Sequence, residues 1–191
     1  MTRLAQPDRR LRSLLLPPWL RLRAGAAVLH LGGALALVAL LVSALPAPGH
    51  AAHPSVVLED AQADLRVELD SRDLAGLPLT EFRTGSVWTD AVHLYTGVLL
   101  RDLLLHLGVD PSATDGSVTI SALDGYSARM KFHEITEVAP MLAFLRDGAP
   151  MPLREQGPFW LLFPYDDDPV FQTESIYARS VWQVSHILVE R

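Results

Sequence analysis

The sequence predicts a strand-dominated α+β domain over residues 53–191, behind an N-terminal segment of a different kind. Three observations lead to that class. Short apolar runs with alternating or continuous patterning recur along the chain, and one stretch carries clear helical spacing. Most of the 14 prolines fall between these pieces. Period-two runs bounded by Gly, Pro and Asp read as strands. Many strands with one firm helix make a mixed, loop-rich domain.

The elements follow in order. Residues 52–60 read as a loose lead-in. Leu65 to Leu69 alternates apolar and charged residues, as a half-buried strand does. Asp73 to Pro78 reads as a turn or short helix. Glu81 to Trp88 contains Phe82, Thr84, Val87 and Trp88, which suits a strand. Gly97 to Leu107 is the predicted helix: Leu100, Leu103, Leu104 and Leu107 recur at helical spacing, and Gly108 stops it. Val118 to Leu123 is a strand, Asp124-Gly125 a tight hairpin turn. Tyr126 to Phe132 returns with Tyr126, Ala128, Met130 and Phe132 on one face. Met141 to Leu145 is a strand turned by Asp147-Gly148. Phe159 to Phe163 is wholly apolar, as a strand buried on both faces would be. In Val181 to Val189, Trp182, Val184 and Leu188 favour strand over helix.

The first 52 residues carry an export signature. Ala24 to Leu45 holds no Asp, Glu, Lys or Arg, and six Arg precede it with Asp8 alone opposing them. A basic start, an apolar run and the small-residue site Gly49-His50-Ala51 make a secretion signal, cut after Ala51 or Ala52. The run exceeds a usual signal core and nearly reaches the ~20 residues that span a bilayer. An uncleaved anchor is therefore the alternative, with its Arg-rich end in the cytoplasm. Arg9-Arg10 resembles a twin-arginine signal, although Leu11-Arg12-Ser13 fits that pattern poorly. Both readings make residues 53–191 periplasmic or secreted.

Without that segment the charge changes. Residues 53–191 hold 10 basic and 21 acidic residues, a net charge near −11. Such a surface argues against nucleic acid and against anionic membranes as partners, leaving membrane contact to the N-terminal segment alone. The chain has no cysteine. Disulfides, cysteine-ligated zinc, iron–sulfur clusters and thiol catalysis are thereby excluded, and a hydrophobic core must stabilise the domain.

Several pieces, in order, resemble one family. Gly97-Val98-Leu99-Leu100-Arg101-Asp102-Leu103-Leu104 and Leu107-Gly108-Val109 resemble a Gly-Val-x-Leu-x-Asp-Leu-Leu…Leu-Gly-Val segment. Asp124-Gly125-Tyr126 resembles a strand turn, and Met141-Leu142-Ala143-Phe144 with Asp147-Gly148-Ala149-Pro150-Met151 a hairpin. Gly157-Pro158 before Phe159 to Phe163, and Trp182 with Ile187, complete the set. The sequence so resembles the sulfite-oxidase-type molybdopterin-binding domain of oxidoreductases, from about Leu65 to Val189. The resemblance implies that family's fold and raises the prospect of molybdopterin as cofactor. It also implies that a cysteine thiolate should bind molybdenum from the segment corresponding to Phe82 to Trp88. No cysteine stands there, and hydroxyls of Thr84 or Ser86 are poor substitutes for a soft ligand. Phe82, Thr84, Ser86 and Trp88 match instead a Phe-x-Thr-x-(Thr/Ser)-x-Trp stretch of short exported members. The expectation is a non-catalytic binding or accessory module without cofactor. The alternative is a molybdopterin-dependent oxidoreductase with a non-thiolate metal site.

Thr84, Ser86, Trp88, Tyr126, Arg129 and Arg154 are the candidate lining of the corresponding pocket. The Arg residues would pair with an anion and the aromatics would stack on a ligand; the competing reading makes the rings core and the Arg surface. The expected partner is a small anionic ligand, or a periplasmic or membrane protein. Asp166-Asp167-Asp168 reads as a solvated acidic loop, since it lacks the spaced ligands and glycine of a calcium loop. His53, His93, His106, His133 and His186 show no His-x-x-x-His spacing, so no metal site is predicted. A copper site at His53 would depend on the cleavage point. No Gly-x-Ser-x-Gly elbow or Gly-rich phosphate loop is present.

Overall fold

The structure, a computed structural model, describes residues 53–191; the signal or anchor assigned to residues 1–52 lies outside the described residues. Ten strands follow in chain order: β1 (Ser55–Asp60), β2 (Leu65–Asp70), β3 (Thr80–Thr84), β4 (His93–Leu99), β5 (Ser117–Ala122), β6 (Ser127–Lys131), β7 (Met141–Arg146), β8 (Ala149–Pro150), β9 (Trp160–Leu162) and β10 (Val184–Glu190). Three short helices interrupt them: α1 (Ser71–Leu74), α2 (Leu100–His106) and α3 (Glu174–Tyr177). Among the described residues no helix is long and apolar enough to cross a membrane.

The strands form two sheets. One runs β2-β1-β10-β5-β6, antiparallel except for the parallel pair β1–β10. The other runs β3-β4-β7-β8, with β9 also paired to β7. One continuous core joins them. Val56, Leu58, Val118, Ile120, Ile187 and Val189 enter it from the first sheet, and Val98, Leu142, Trp160 and Leu161 from the second. Leu100, Leu103 and Leu104 place the buried face of α2 in the same core. Phe159 to Phe163 is buried throughout, as its unbroken apolar run implies.

Several boundaries differ from the sequence reading. Residues 55–60 are a strand flanked by two neighbours, not a lead-in. Its period-two pattern, with Val56, Leu58 and Asp60 inward, is masked in sequence by Val57 beside them. The predicted helix starts three residues late, because Gly97, Val98 and Leu99 finish β4. The pairing of β4 with β7 shifts register between Thr96 and Gly97. A Cβ on Gly97 would stand 2.2 Å from the Leu142 carbonyl oxygen, so the close approach of two strands holds this stretch extended. Gly108, at φ +77°, does end the helix.

The strand expected over Glu81 to Trp88 stops at Thr84, and residues 85–92 form a loop. Tyr126 does not share the inward face of Ala128, Met130 and Phe132; it is exposed at the tip of the β5–β6 hairpin. Asp147-Gly148 turns β7 into β8 with both residues at positive φ, +52° and +78°, the backbone that two-residue hairpins need.

Candidate functional site

The end of β3 and the loop after it carry three of the sequence candidates, and the loop is pinned at its root. Thr84, fully buried, donates its hydroxyl to the Gly85 carbonyl at 3.0 Å and accepts from the Asp166 amide at 3.1 Å. The Asp166 carboxylate in turn accepts from the Gly85 amide at 2.7 Å. A small turn follows. Ser86 donates its amide to the Thr89 hydroxyl at 2.9 Å, and its own hydroxyl accepts from the Trp88 amide at 3.2 Å. Both candidate hydroxyls are thus committed to local structure. The acidic run Asp166-Asp167-Asp168 is exposed, with Asp166 holding this loop and Asp168 capping the turn at Val170.

This loop sets Trp88 among other rings. It meets Trp182 at 5.2 Å between centroids, Tyr177 at 5.6 Å and Trp160 at 6.2 Å, each edge to face. That arrangement suits the ring quadrupoles. Tyr177 lies on α3 and packs at 5.4 Å against the buried Tyr165. Burial pushes the Tyr165 phenol well above its ordinary pKa, and its hydroxyl donates to Ser180 at 2.5 Å. The indole N–H of Trp160 is buried without a hydrogen-bond partner, as is the Tyr95 hydroxyl.

Trp88, Tyr177 and Trp182 form one side of a cleft of about 380 Å³, closed by Tyr126 and Asp124 from the β5–β6 hairpin and by Glu174 from α3. The Tyr126 hydroxyl donates to the Ala178 carbonyl at 2.6 Å, tying the hairpin tip to the end of α3. Asp124 accepts from the Tyr126 amide at 2.9 Å. No Lys, Arg or His lines this cleft. Its volume and aromatic lining, with a few polar groups, are those of a small-molecule site.

The structure brings Trp88 and Tyr126 to one cleft; Thr84 and Ser86 hold the root and turn of the Trp88 loop without lining that cleft, and the two arginines lie elsewhere. Arg129 lies in a separate depression of about 710 Å³, beside Ser117, Lys131 and Glu190. There it donates to the Ser117 hydroxyl at 2.7 and 3.0 Å and stands 3.4 Å from Glu190. Arg154 is exposed in the turn Leu153–Glu155 and lines neither cavity. The expected pairing of arginine with stacking aromatics in one pocket is therefore not present. Asp124, Glu174 and Tyr177 line the cleft without having been singled out as ligand-binding residues. Their positions relative to Trp88 depend on chain crossings that local patterning does not encode.

The histidines are dispersed. His93 contacts Asp147 at 2.6 Å and His186 contacts Glu59 at 3.2 Å, while His53, His106 and His133 are exposed. Asp147 is held below the usual carboxylate range, first by the Leu94 amide and then by His93. Among the described residues no group of three or more His, Asp or Glu is placed to hold a metal.

No family model matches the chain, and no curated protein matches it by sequence. Among solved structures, the sulfane dehydrogenase SoxCD from Paracoccus pantotrophus has a similar fold, with a TM-score of 0.52 at 18% identity. The match covers 71% of this chain and 38% of that one, so the chain spans well under half of its length. The domain is thus a strand-dominated mixed fold with few short helices, resembling that structure.

Proposed function

We propose that the chain is an exported, non-catalytic binding or accessory module built on a molybdopterin-oxidoreductase-like fold. In this reading residues 1–52 are a signal or anchor, and residues 53–191 work in the periplasm or outside the cell. The domain holds a small molecule in the Trp88 cleft, or presents that ligand to a periplasmic or membrane partner protein.

One observation carries the reading. The segment in which the family resemblance calls for a metal-binding thiolate offers only Thr84 and Ser86 hydroxyls, both engaged in local hydrogen bonds. A molybdenum centre calls for soft sulfur donors. A pterin phosphate calls for cations on the wall, and the cleft provides carboxylates instead. The residues present do not fit that cofactor.

What the cleft can do is bind. Trp88, Tyr177 and Trp182 are braced by one another, and Tyr126 by its bond to Ala178. A pre-braced site loses little side-chain freedom when a ligand enters. The test is elemental analysis for molybdenum, tungsten, copper and zinc on protein purified from its native exported compartment, with pterin fluorescence alongside. Neither metal nor pterin is expected in folded protein. Stoichiometric molybdenum with pterin would overturn the reading in favour of an oxidoreductase with a non-thiolate site.

A further inference from the structure

We propose that the Trp88 cleft is a receptor site for a small organic cation of the alkylated ammonium class. The inference rests on the binding-module reading and gives its ligand a charge opposite to the one the sequence motifs imply. Two features of the site point the same way. Its wall carries the rings of Trp88, Tyr126, Tyr177 and Trp182, and aromatic faces attract a cation within about 6 Å through the ring quadrupole. Its charged groups are Asp124 and Glu174, and among the described residues neither carboxylate is used in an ion pair.

An anion entering the cleft would meet two like charges and no counter-charge. It would lose hydration without recovering it. A cation gains from both carboxylates, and the net charge near −11 of residues 53–191 adds a long-range attraction.

The same groups select among cations. A bare metal ion needs several oxygen donors at short range. Two carboxylates on a wall of four rings, two alanines and Ser180 do not supply them: the Ser180 hydroxyl is engaged with Tyr165 and the Ile176 carbonyl, and one Asp124 oxygen is already accepting from the Tyr126 amide. A primary ammonium needs acceptors for three N–H groups. The Tyr126 hydroxyl donates its proton to the Ala178 carbonyl, so it has no hydrogen left to donate to an anion and keeps only acceptor capacity. An ammonium carrying methyl groups needs few acceptors: its methyls pack on the rings while Asp124 and Glu174 balance its charge. The volume of about 380 Å³ lies toward the small end of ligand sites, large enough for such a headgroup.

The test titrates three probes into the full chain, read by tryptophan fluorescence and calorimetry: choline, its uncharged carbon counterpart 3,3-dimethylbutan-1-ol, and inorganic phosphate. Choline is expected to bind and perturb the tryptophan emission. The uncharged counterpart should bind about tenfold more weakly, and phosphate should not compete. Asp124→Asn combined with Glu174→Gln should weaken choline by about tenfold while leaving the unfolding midpoint in place. The amide oxygen of the first substitution can still accept from the Tyr126 N–H, so the turn keeps its bond. Equal affinity for choline and the alcohol overturns the cation assignment and leaves a binding module for neutral ligands. Displacement of choline by phosphate overturns it as well. So does the absence of choline binding to folded protein up to about 10 mM. Molybdenum and pterin in the purified protein are a separate result that strikes the binding-module reading itself.

Discussion

Asp60 stands at the C-terminal end of a core strand, buried to within 1% of full exclusion, yet it is a carboxylate. Burial alone would raise its pKa. The amides of Gln62 and Ala63 at 3.0 and 3.2 Å, and the Arg191 guanidinium at 2.7 Å, outweigh that and hold it below its ordinary 3.8. A depressed folded pKa adds stability that is complete above the unfolded value, near 3.9, and disappears as pH falls through the folded one. Asp60→Asn is therefore expected to unfold at a lower temperature than the wild type at neutral pH. The gap should stay constant down to about pH 5 and close as the pH drops below about 3.8. Thermal melts across that range decide the point, since a gap that persists to pH 2 would mean that the charge contributes nothing.

At the scale of elements, the β3–β4 and β4–β7 pairings place the cleft. Residues 85–92 emerge from β3 and deliver Trp88, while β4 leads from that loop into the core and then into α2. The path depends on β4 lying very close to β7 at Gly97. There a Cβ would stand 2.2 Å from the Leu142 oxygen and 2.6 Å from the Ala143 Cα, both backbone atoms that cannot swing aside. Gly97→Ala is expected to cost about 3 kcal/mol or more, at the upper end for an overpacked core. Denaturant unfolding measures it, and a loss below about 1 kcal/mol would show that the two strands can part without breaking the sheet. Gly108 offers a contrast: it too has a special role, but nothing lies within 4 Å of its added Cβ, and its constraint is the positive φ that ends α2.

For the molecule as a whole, the first described strand holds a larger share of the architecture than its place in the chain implies. β1 lies between β2 and β10, and its parallel pairing with β10 joins the two ends of the domain. Val56 and Leu58 are fully excluded from solvent. Residues 53–191 belong to one compact unit. A chain beginning at His53 should accordingly unfold cooperatively, whereas one beginning at Ala61 should show no cooperative transition, because it loses an interior strand and its buried side chains. Circular dichroism melts of the two truncations make the comparison. A folded shorter form would demote β1 to an accessory edge.

The sequence by itself determined much of the element order. The period-two runs at Leu65 and at Ala128 and Met130, the apolar run at Phe159 and the Asp147-Gly148 turn each state their local conformation, because side-chain periodicity and backbone φ preferences act within a few residues. It also determined the absence of a thiolate and the acidity of residues 53–191. Contacts between distant segments decided the rest. Gly97 to Leu99 follow the strand opposite them and not the helical spacing that starts beside them. The candidate site shows the same division. Trp88 and Tyr126 were legible as aromatics in suspect segments, but Tyr177 and Trp182 join Trp88 only after about ninety residues of intervening chain have folded back. Arg129 and Arg154 carry the right charge for an anion site, yet the sheet register puts one opposite Thr119, from where its side chain reaches Ser117, and the chain leaves the other in a surface turn. A local pattern can name the residue types that a site needs. Only the register and crossing of strands fixes which of them share a cavity, and here it set carboxylates, not arginines, beside the rings.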